Sequence, residues 1–330
     1  MVQLKFTSFV YSQLTQNFEL PNKDLTGQVV IVTGSNVGLG LESARHLAAM
    51  NPSKLILACR DTVKAEAAIT DIKNTTNSVA TIQAWKLDLQ SFDSVKLFVE
   101  KCNRELDRLD ILVENAGIAT AEYRLTADKW ESTIQTNVLS TFLLAILLLP
   151  LLRKTTKKNS DTRLVIVASE VHHWSPFDER DAPNIFERLN DQTHFKPNDR
   201  YQISKLLDVL LTRALAENMK APEDKSISVT SVNPGLCHSE LGREAGWGLW
   251  LMKKALARTT EMGARTLTHS AVGKLEPHAT KGTYYSDCKE TEPSDFVIGE
   301  EGKKAQDRLW TEMVQILSRV DSSVKRILQQ

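Results

Sequence analysis

The sequence has no excess of charge of either sign and no closely spaced cysteines. It contains 41 Lys and Arg residues against 41 Asp and Glu residues, which argues against a chain-wide electrostatic footprint for nucleic acid and leaves only a local patch open. The first residues lack the continuous apolar region of a signal peptide, so we expect a reducing, cytoplasmic setting. The four cysteines lie far apart without C-x-x-C spacing: Cys59, Cys102, Cys237 and Cys288.

A long unbroken hydrophobic run is also missing. The longest apolar stretch, Leu139–Leu152, is interrupted by Ser140, Thr141 and Pro150, and it is shorter than the roughly 20 residues that cross a bilayer. We therefore expect a buried helix there and no integral membrane span, while peripheral contact with a membrane stays open. Hydrophobic residues make up 42% of the 330 residues and charged residues 25%, proportions that are typical of a soluble globular protein.

The strongest local pattern is the stretch VVIVTGSNVGLG at Val29–Gly40. Its β-branched start predicts a strand that is buried on both faces. Gly34, Gly38 and Gly40 then allow a tight turn into a helix, whose free amides and dipole favour a phosphate group. The spacing T-G-x-x-x-G-x-G excludes a Walker-type loop. Taken alone, the glycines indicate either a nucleotide-binding turn or an ordinary turn of an α/β protein.

Strand-like and helix-like stretches alternate after residue 28. This alternation predicts an α/β fold, a single-domain Rossmann-like doubly wound parallel sheet with helices on both faces. Strands are predicted at 29–32, 54–58, 80–87, 109–113, 164–168, 227–232 and 282–286. Helices are predicted at 40–50, 62–73, 91–105, from about 127 through the apolar run, and at 201–220.

The two ends of the chain are expected to lie outside this domain. We expect an N-terminal extension at 1–24, the domain at 25–290 and a C-terminal amphipathic helix within 291–330, because apolar residues recur there every three or four positions. That helix packs on the domain or on a second subunit, so a homodimer is one arrangement. A membrane-surface helix is the alternative, but the Lys/Arg-rich polar face of such helices is lacking.

Tyr201 and Lys205 stand one helical turn apart, so their side chains share a helix face. A tyrosine, with a reference pKa of about 10, becomes a useful acid–base group near neutrality when a nearby positive charge favours its ionised form. Ser169 follows the predicted fifth strand at the edge where open α/β sheets place their ligands. A turn serine that bonds local backbone groups is the alternative for Ser169.

Several motifs in this order resemble the short-chain dehydrogenase/reductase family, in its retinol-dehydrogenase-like branch and fungal relatives. They are TGxxxGxG, Asn115-Ala116-Gly117, Asn137, Ser169, Tyr201-x-x-x-Lys205 and Pro234-Gly235, and the resemblance covers about residues 25–290. It implies that Tyr201 is the general acid in reduction and the base in oxidation, and that Ser169 holds the substrate oxygen. Lys205 would bind the nicotinamide ribose and depress the tyrosine pKa, and Asn137 would support a water that leads protons to Lys205.

The resemblance also implies which residues contact the dinucleotide. One departure from the family pattern is Glu114, where many members have Asn, so a carboxylate must be solvated or paired at the end of that strand. The expected contacts, with Arg60 added from the charge argument below, are Gly34, Ser35, Asn36, Gly38, Leu39, Gly40, Arg60, Asp88, Leu89, Asn115, Ala116, Gly117, Tyr201, Lys205, Pro234 and Gly235.

The charge at the end of the second strand bears on the choice of cofactor. An acid there would bond the ribose hydroxyls of NAD, whereas an arginine accommodates the 2′-phosphate of NADP. Arg60 therefore favours NADP(H) over NAD(H), and the alternative is a surface pair between Arg60 and Asp61. Three histidines near the predicted site lack regular zinc-ligand spacing, so we expect no metal (His172, His173 and His238).

The substrate is expected to contact the loop at 170–199 and a lid at 237–257. The apolar character of the lid, GWGLWLM at 246–252, predicts a hydrophobic substrate, although a core helix is the alternative. We therefore predict an NADP-dependent oxidoreductase that interconverts a ketone or aldehyde and an alcohol, with secondary metabolism as one setting. The alternatives are a catalytically idle scaffold that senses the dinucleotide, and a dehydratase or epimerase that uses the same tyrosine.

Overall fold

A sheet of eight strands forms the centre of the protein, in the order β3-β2-β1-β4-β5-β6-β7-β8. Strands β1 to β7 are parallel to their neighbours, and β8 pairs antiparallel with β7. The strands are β1 Val29–Thr33, β2 Lys54–Cys59, β3 Thr81–Lys86, β4 Ile111–Glu114, β5 Thr162–Val167, β6 Ile227–Asn233, β7 Thr283–Ser286 and β8 Lys289–Glu290. The predicted parallel sheet is thus confirmed, and its strand order reverses between β1 and β4, where such sheets bind ligands.

The computed structural model describes residues 6–15, 17–157, 161–238, 241, 254, 256–275 and 282–330. Short 3₁₀ turns connect some of its helices. The helices are α1 Phe6–Thr15, α2 Gly38–Ala49, α3 Thr62–Thr75, α4 Phe92–Glu105, α5 Ser132–Thr156, α6 Ile185–Asn190, α7 Pro197–Asn218, α8 Thr260–Val272, α9 Asp295–Ile298, α10 Glu300–Val320 and α11 Ser323–Gln329.

Helices cover both faces of the sheet and make two apolar layers. One layer joins α2, α3 and α8 to the sheet through residues such as Leu47, Ile69 and Leu267. The other joins α4, α5, α7 and α10 through residues such as Phe98 and Leu309. The central strands β1, β4 and β5 are buried on both sides because a helix layer covers each face of the sheet, as the doubly wound prediction requires.

Helix α5 is the most apolar helix in the described part of the chain. By length and composition alone it could cross a membrane, but 94% of its most apolar 18-residue window is buried inside the protein. It lies against α4, α11 and β5. The predicted buried helix is therefore present as a core helix.

Three regions differ from the expected pattern. Helix α8 was not predicted. Residues 170–199, expected as a loop, fold into α6 and three 3₁₀ turns, and Phe177 and Phe186 are buried in the core. The C-terminal helix is two helices, because the Asp321 carboxylate accepts from the Ser323 N–H at 2.8 Å and ends α10. Of the predicted lid, residues 239–240, 242–253 and 255 lie outside the described residues.

Candidate active site

The glycine turn after β1 is tied to the end of β4. The Asn115 side-chain amide donates to the carbonyl oxygens of Thr33 and Gly34 at 3.0 and 3.2 Å. In return, the Thr33 hydroxyl accepts from the N–H groups of Asn115 and Ala116, both at 3.0 Å. The two strands that flank the switch point are therefore fixed to each other at their carboxyl ends.

Within this turn the glycines have different tasks. Gly38 has a φ of +64°, and a Cβ built on it meets nothing within 4 Å. A Cβ on Gly40 would lie 2.5 Å from both the Asn115 amide nitrogen and the Gly34 carbonyl oxygen. Gly38 thus faces open space beside the start of α2, where a phosphate group fits, whereas Gly40 allows the turn to pack on Asn115. Among the neighbouring residues of the turn, Val37 is exposed, and Asn36 and Leu39 are half-buried.

Several residues predicted to contact the dinucleotide have side chains that are buried or already bonded within the protein. The Ser35 hydroxyl is buried and donates to the Val32 carbonyl oxygen at 2.8 Å. Asp88, after β3, accepts from the Gln90 N–H at 3.0 Å, and Leu89 is buried. Of the glycines in the turn, Gly38 leaves open space, whereas Gly34 packs closely on Ala116, whose Cα would lie 2.9 Å from a Cβ on Gly34.

Arg60 stands at the exposed end of β2 and does not use Asp61 as a partner. The Asp61 carboxylate accepts from the Lys64 N–H at 3.0 Å and so caps α3. Its other oxygen lies 3.9 Å from the Lys64 ammonium. No ion pair between Arg60 and Asp61 occurs in the described part of the chain. The surface pair that was the alternative interpretation of Arg60 is therefore not observed.

Asn137 lies in a π-helical turn, Gln135–Leu139, inside α5. Its amide nitrogen donates to the Ile118 carbonyl at 2.9 Å and to the Ser204 hydroxyl at 3.0 Å, and its amide oxygen accepts from the Ile118 N–H at 2.8 Å. A Cβ on Gly117 would lie 3.2 Å from that oxygen and 3.8 Å from the Lys205 ammonium. Asn137 therefore holds the segment after β4 against α7, beside Lys205.

Ser169, Tyr201 and Lys205 meet at the carboxyl edge of β5. The Ser169 hydroxyl accepts from the Val171 N–H at 3.4 Å, and its side chain is close enough to Tyr201 to lower the pKa of that phenol. The Lys205 ammonium is 5.8 Å from the centre of the Tyr201 ring. The ammonium donates to the Val167 carbonyl at 2.8 Å and to the Asp208 carboxylate at 2.9 Å. An ammonium has three donors, so one stays available for a ligand.

Burial dominates the electrostatics of this group. It raises the pKa of Tyr201; Lys205 lowers that pKa, Asp208 raises it again, and the Ser169 side chain lowers it. The net shift is upward, opposite to the depression expected from Lys205 alone, because lost hydration and the Asp208 charge outweigh the ammonium. Burial also lowers the pKa of Lys205, but Asp208 and Tyr201 raise it more, so Lys205 stays charged.

The Pro234-Gly235 segment is held by polar contacts from three sides. Asn233 accepts from the N–H groups of Gly235 and Glu170 at 2.9 and 3.1 Å. Burial raises the pKa of Glu170 to about 7. A Cβ on Gly235 would lie 2.8 Å from the guanidinium of Arg258, which also pairs with Asp287 at 2.8 Å and bonds the Ser12 carbonyl of α1 at 2.9 Å. The N-terminal extension thus docks beside this segment.

Sequence reasoning missed three polar residues beside the site. Asp208 lies three residues after Lys205 on the same helix face, a spacing that could have revealed it. Glu114 was noted only as a departure from the family pattern. His172 was weighed only as a metal ligand, yet its Nδ1 lies 2.7 Å from the Ser169 carbonyl oxygen and its Nε2 accepts from the Ser294 N–H at 3.1 Å.

Comparison with known sequences gives consistent matches along the chain. The family model described as short chain dehydrogenase matches residues 28–176. The chain is 44% identical over 324 residues to the short chain dehydrogenase/reductase dmxR8 of Cryptosporiopsis sp. (strain 8999), covering 96% of this chain and 98% of that protein. It is 38% identical over 330 residues to the short chain dehydrogenase FGM9 of Gibberella zeae, covering 98% and 95%.

Solved structures share the fold. The NADPH-bound carbonyl reductase from chicken fatty liver superposes with a TM-score of 0.62 at 20% identity, covering 83% of this chain and 96% of that one. The RhlG/NADP complex of Pseudomonas aeruginosa superposes with a TM-score of 0.58 at 23% identity, covering 80% and 95%. At these identities the likeness concerns the fold alone.

Proposed function

The chain belongs to the short-chain dehydrogenase/reductase family of oxidoreductases, and we propose that it is an NADP-dependent member that interconverts a ketone or aldehyde and an alcohol on an apolar substrate. The observation that carries the proposal is the buried Lys205 ammonium, which bonds the Val167 carbonyl at the end of β5 at 2.8 Å and lies 5.8 Å from the centre of the Tyr201 ring, with Ser169 following the same strand. These groups lie at the same sheet edge as the open space over Gly38.

In this proposal the side chains handle the proton and the substrate oxygen. The bound dinucleotide supplies the hydride in reduction and accepts it in oxidation. Tyr201 donates its phenolic proton to the carbonyl oxygen in reduction, and in oxidation its phenolate takes the proton from the alcohol. The Ser169 hydroxyl donates to the same oxygen and holds it in place. Lys205 opposes the effect of burial on Tyr201, because its charge favours the phenolate.

Asn137 acts as a positioning residue in this scheme. Both polar atoms of its side chain bond to Ile118, so the side chain fixes the backbone beside Lys205. By the family resemblance, Asn137 also supports a water molecule that leads protons to Lys205. The π-helical turn supports that role, since such turns leave backbone groups outside the regular α-helical pattern and recur at functional sites.

The preference for NADP rests on Arg60. Its guanidinium is exposed at the end of β2, while Asp61 is engaged as the cap of α3. A guanidinium can bind a phosphate through two parallel hydrogen bonds. Two proteins with the same fold are described with NADP or NADPH bound, which agrees with this choice.

The apolar substrate is proposed from the composition of residues 246–252, and an origin in fungal secondary metabolism is the setting we favour. Purified protein is mixed with NADPH and a panel of apolar ketones, and the loss of nicotinamide absorbance is followed. We expect saturable turnover on at least one ketone. NADPH binding without turnover on any substrate would instead favour a dinucleotide-sensing scaffold.

The role of Tyr201 is tested with Tyr201→Phe, which keeps the ring and removes the hydroxyl. We expect turnover to fall by about 10² to 10⁴-fold, the usual contribution of a positioned acid–base group. Tyr11→Phe is the matched control, since Tyr11 is an exposed tyrosine on α1 and its loss leaves the proton transfer intact. Unchanged turnover in Tyr201→Phe would disprove the mechanism.

The role of Arg60 is tested by titrating Arg60→Ala with NADPH and NADH. Losing a charge-assisted contact to the 2′-phosphate costs about 1.5 to 3 kcal/mol, so NADPH should bind roughly 10 to 100-fold more weakly while NADH binding changes little. Lys64→Ala, which removes an exposed cation one turn into α3, serves as the control. Equal weakening of both cofactors in Arg60→Ala would contradict the assignment.

A further inference from the structure

Arg258 is a buried cation at the place where the N-terminal extension meets the Pro234-Gly235 segment. Its side chain is 3% exposed, and its guanidinium pairs with Asp287, in the turn between β7 and β8, at 2.8 Å. The same guanidinium donates to the carbonyl and to the hydroxyl of Ser12 on α1, at 2.9 and 2.7 Å. The Ser12 hydroxyl in turn donates to the Asp287 carboxylate at 2.5 Å. The three residues therefore form a closed ring of polar contacts.

The backbone of Arg258 is fixed to the chain that follows Gly235. Its N–H donates to the Leu236 carbonyl at 2.9 Å, and its carbonyl accepts from the His238 N–H at 3.0 Å. Cys237 and Arg258 thus form a parallel bridge, and they stand at the two ends of the predicted lid. Because one residue makes both sets of bonds, the contacts that hold its guanidinium also hold this bridge.

Two side chains lie directly against Gly235. A Cβ on Gly235 would lie 2.8 Å from a guanidinium nitrogen of Arg258 and 3.1 Å from the amide nitrogen of Gln13 on α1. Gln13 is buried. Gly235 has a φ of +77°, a left-handed conformation that glycine adopts without strain. Helix α1 therefore contacts the segment itself as well as the cation beside it.

The N-terminal extension is also held beyond the end of α1. Phe18 is buried, and the centre of its ring lies 4.9 Å from the Arg258 guanidinium. The Phe18 carbonyl accepts from the guanidinium of Arg265 on α8, which pairs with Glu261 at 2.8 Å. The extension is thus bonded to the β7–β8 turn through Ser12 and to α8 through Phe18. Buried polar groups that are joined in this way make the parts they connect rigid.

We propose that the N-terminal extension is part of the dinucleotide site, because α1 and Arg258 hold the Pro234-Gly235 segment in the position in which it contacts the cofactor. The positioning residues are Ser12, Gln13, Arg258 and Asp287. The inference rests on the proposed function, with Pro234 and Gly235 as the dinucleotide contacts that the family resemblance implies. A segment that is held in place before the cofactor arrives loses less conformational freedom on binding.

The first experiment tests whether α1 holds the segment. Ser12→Ala removes the hydroxyl that joins Arg258 to Asp287. In the full chain without cofactor, hydrogen exchange measured by mass spectrometry should become at least about 10-fold faster at 235–238, because two hydrogen bonds to charged groups are lost. The N–H groups of Gly235 and His238 are hydrogen-bonded within this segment. Exchange in β1 and β4 should stay as in the wild type, which separates a local opening from a loss of global stability.

Thr15→Ala is the matched control, because the Thr15 hydroxyl bonds the Tyr11 carbonyl within the same helix at 2.7 Å. Its exchange at 235–238 should equal that of the wild type. Unchanged exchange at 235–238 in Ser12→Ala, or equal acceleration in β1 and β4, would overturn the inference. This readout needs neither cofactor nor substrate, so its failure is distinguishable from failure of the proposed oxidoreductase activity.

The second experiment tests whether the segment belongs to the dinucleotide site. Saturating NADPH should slow exchange at 235–238 in the wild type, since a ligand stabilises the conformation that it binds. Asp287→Asn removes the anion beside Arg258 and keeps a residue type that tolerates the φ of +54° at this position. It should bind NADPH about 10-fold more weakly, because binding weakens with the fraction of molecules in which the segment is displaced.

No effect of NADPH on exchange at 235–238, or normal NADPH affinity in a folded Asp287→Asn protein, would overturn the inference. Thr15→Ala should bind NADPH like the wild type. The exchange measurements on the wild type and on Ser12→Ala decide the matter where Asp287→Asn does not fold.

Discussion

The glycine turn after β1 can be tested with two nearby substitutions, one of which should mainly weaken cofactor binding and the other mainly weaken stability. Gly38→Ala places a methyl group in open space at a residue with a φ of +64°. Gly40→Ala places it 2.5 Å from the Asn115 amide nitrogen and 2.5 Å from the Gly34 carbonyl oxygen. The methyl group of Gly38→Ala therefore extends into the proposed cofactor crevice, whereas the methyl group of Gly40→Ala clashes with protein atoms.

The magnitudes follow from these surroundings. A left-handed conformation costs an alanine about 1 to 2 kcal/mol. Alanine also makes the unfolded chain less flexible, which stabilises the folded protein by about 0.4 to 1 kcal/mol. Gly38→Ala should therefore lose roughly 1 kcal/mol of stability. Overpacking at Gly40 costs about 1 to 3 kcal/mol. If Asn115 is displaced, its two hydrogen bonds to the turn add about 1 kcal/mol each, while the better helix propensity of alanine returns at most about 1 kcal/mol.

Urea unfolding and an NADPH titration by fluorescence separate the two effects. Gly38→Ala should stay folded with a small shift of its unfolding midpoint, and it should bind NADPH at least about 10-fold more weakly, because the methyl group occupies the space for a phosphate. Gly40→Ala should show the larger loss of stability. A Gly40→Ala protein as stable as the wild type, or a Gly38→Ala protein with normal NADPH affinity, would refute the reading of this turn.

Two further predictions concern stability away from the turn. Burial lowers the pKa of His172 to about 3, below its unfolded value, so the stability that the neutral imidazole contributes is complete above pH 6.5 and is lost as the pH falls toward 3, by about 1.4 kcal/mol per pH unit. In urea unfolding at several pH values, the free energy of unfolding of His172→Gln should therefore depend less steeply on pH than that of the wild type. An identical pH dependence would contradict this prediction. Arg153→Met leaves the buried Asp224 carboxylate without its cation and should lower the free energy of unfolding in urea by about 3 to 5 kcal/mol. The control Lys157→Met removes an exposed ion pair and should lower it by at most about 1 kcal/mol. Equal losses of stability would contradict the argument from burial.

Much of the sheet and of the site's layout could be predicted because local patterns matched the global fold. A continuous β-branched stretch indicated β1 and an apolar stretch indicated β2. The carboxyl ends of parallel strands meet at one edge, so residues that follow different strands come together there. This is why Ser169, after β5, could be expected beside Tyr201. The same argument assigns the glycine turn after β1 to that edge.

Helix α8 was not predicted because its buried side mixes apolar residues such as Leu267 with polar ones. It also buries Gly263 and hydroxyl-bearing residues, among them Thr266, Thr268 and Ser270. Small residues let it approach the sheet closely; a Cβ on Gly263 would lie 2.2 Å from the Cys237 sulfur. A hydrophobic period is therefore too weak to signal the helix, although its packing against α2 is extensive.

The burial of Glu114 and Asp208 escaped prediction for a different reason, since it depends on tertiary packing. Glu114 reads as a solvated strand end until β4 is known to be buried at that residue, and Asp208 reads as an exposed helix position until α7 is known to pack on β5 and β6. Only the three-residue step from Lys205 to Asp208 was available from the sequence.

The segment that follows β4 links the cofactor side of the crevice to the chemical side. Asn115 bonds the glycine turn, Asn137 bonds both polar backbone groups of Ile118, and a Cβ on Gly117 would lie 3.8 Å from the Lys205 ammonium. A displacement of this short segment would therefore loosen the turn and change the surroundings of Lys205 at once. Substitutions here should alter dinucleotide affinity and the pH profile together, whereas changes at Arg60 should alter affinity alone, because Arg60 has no contact with this segment.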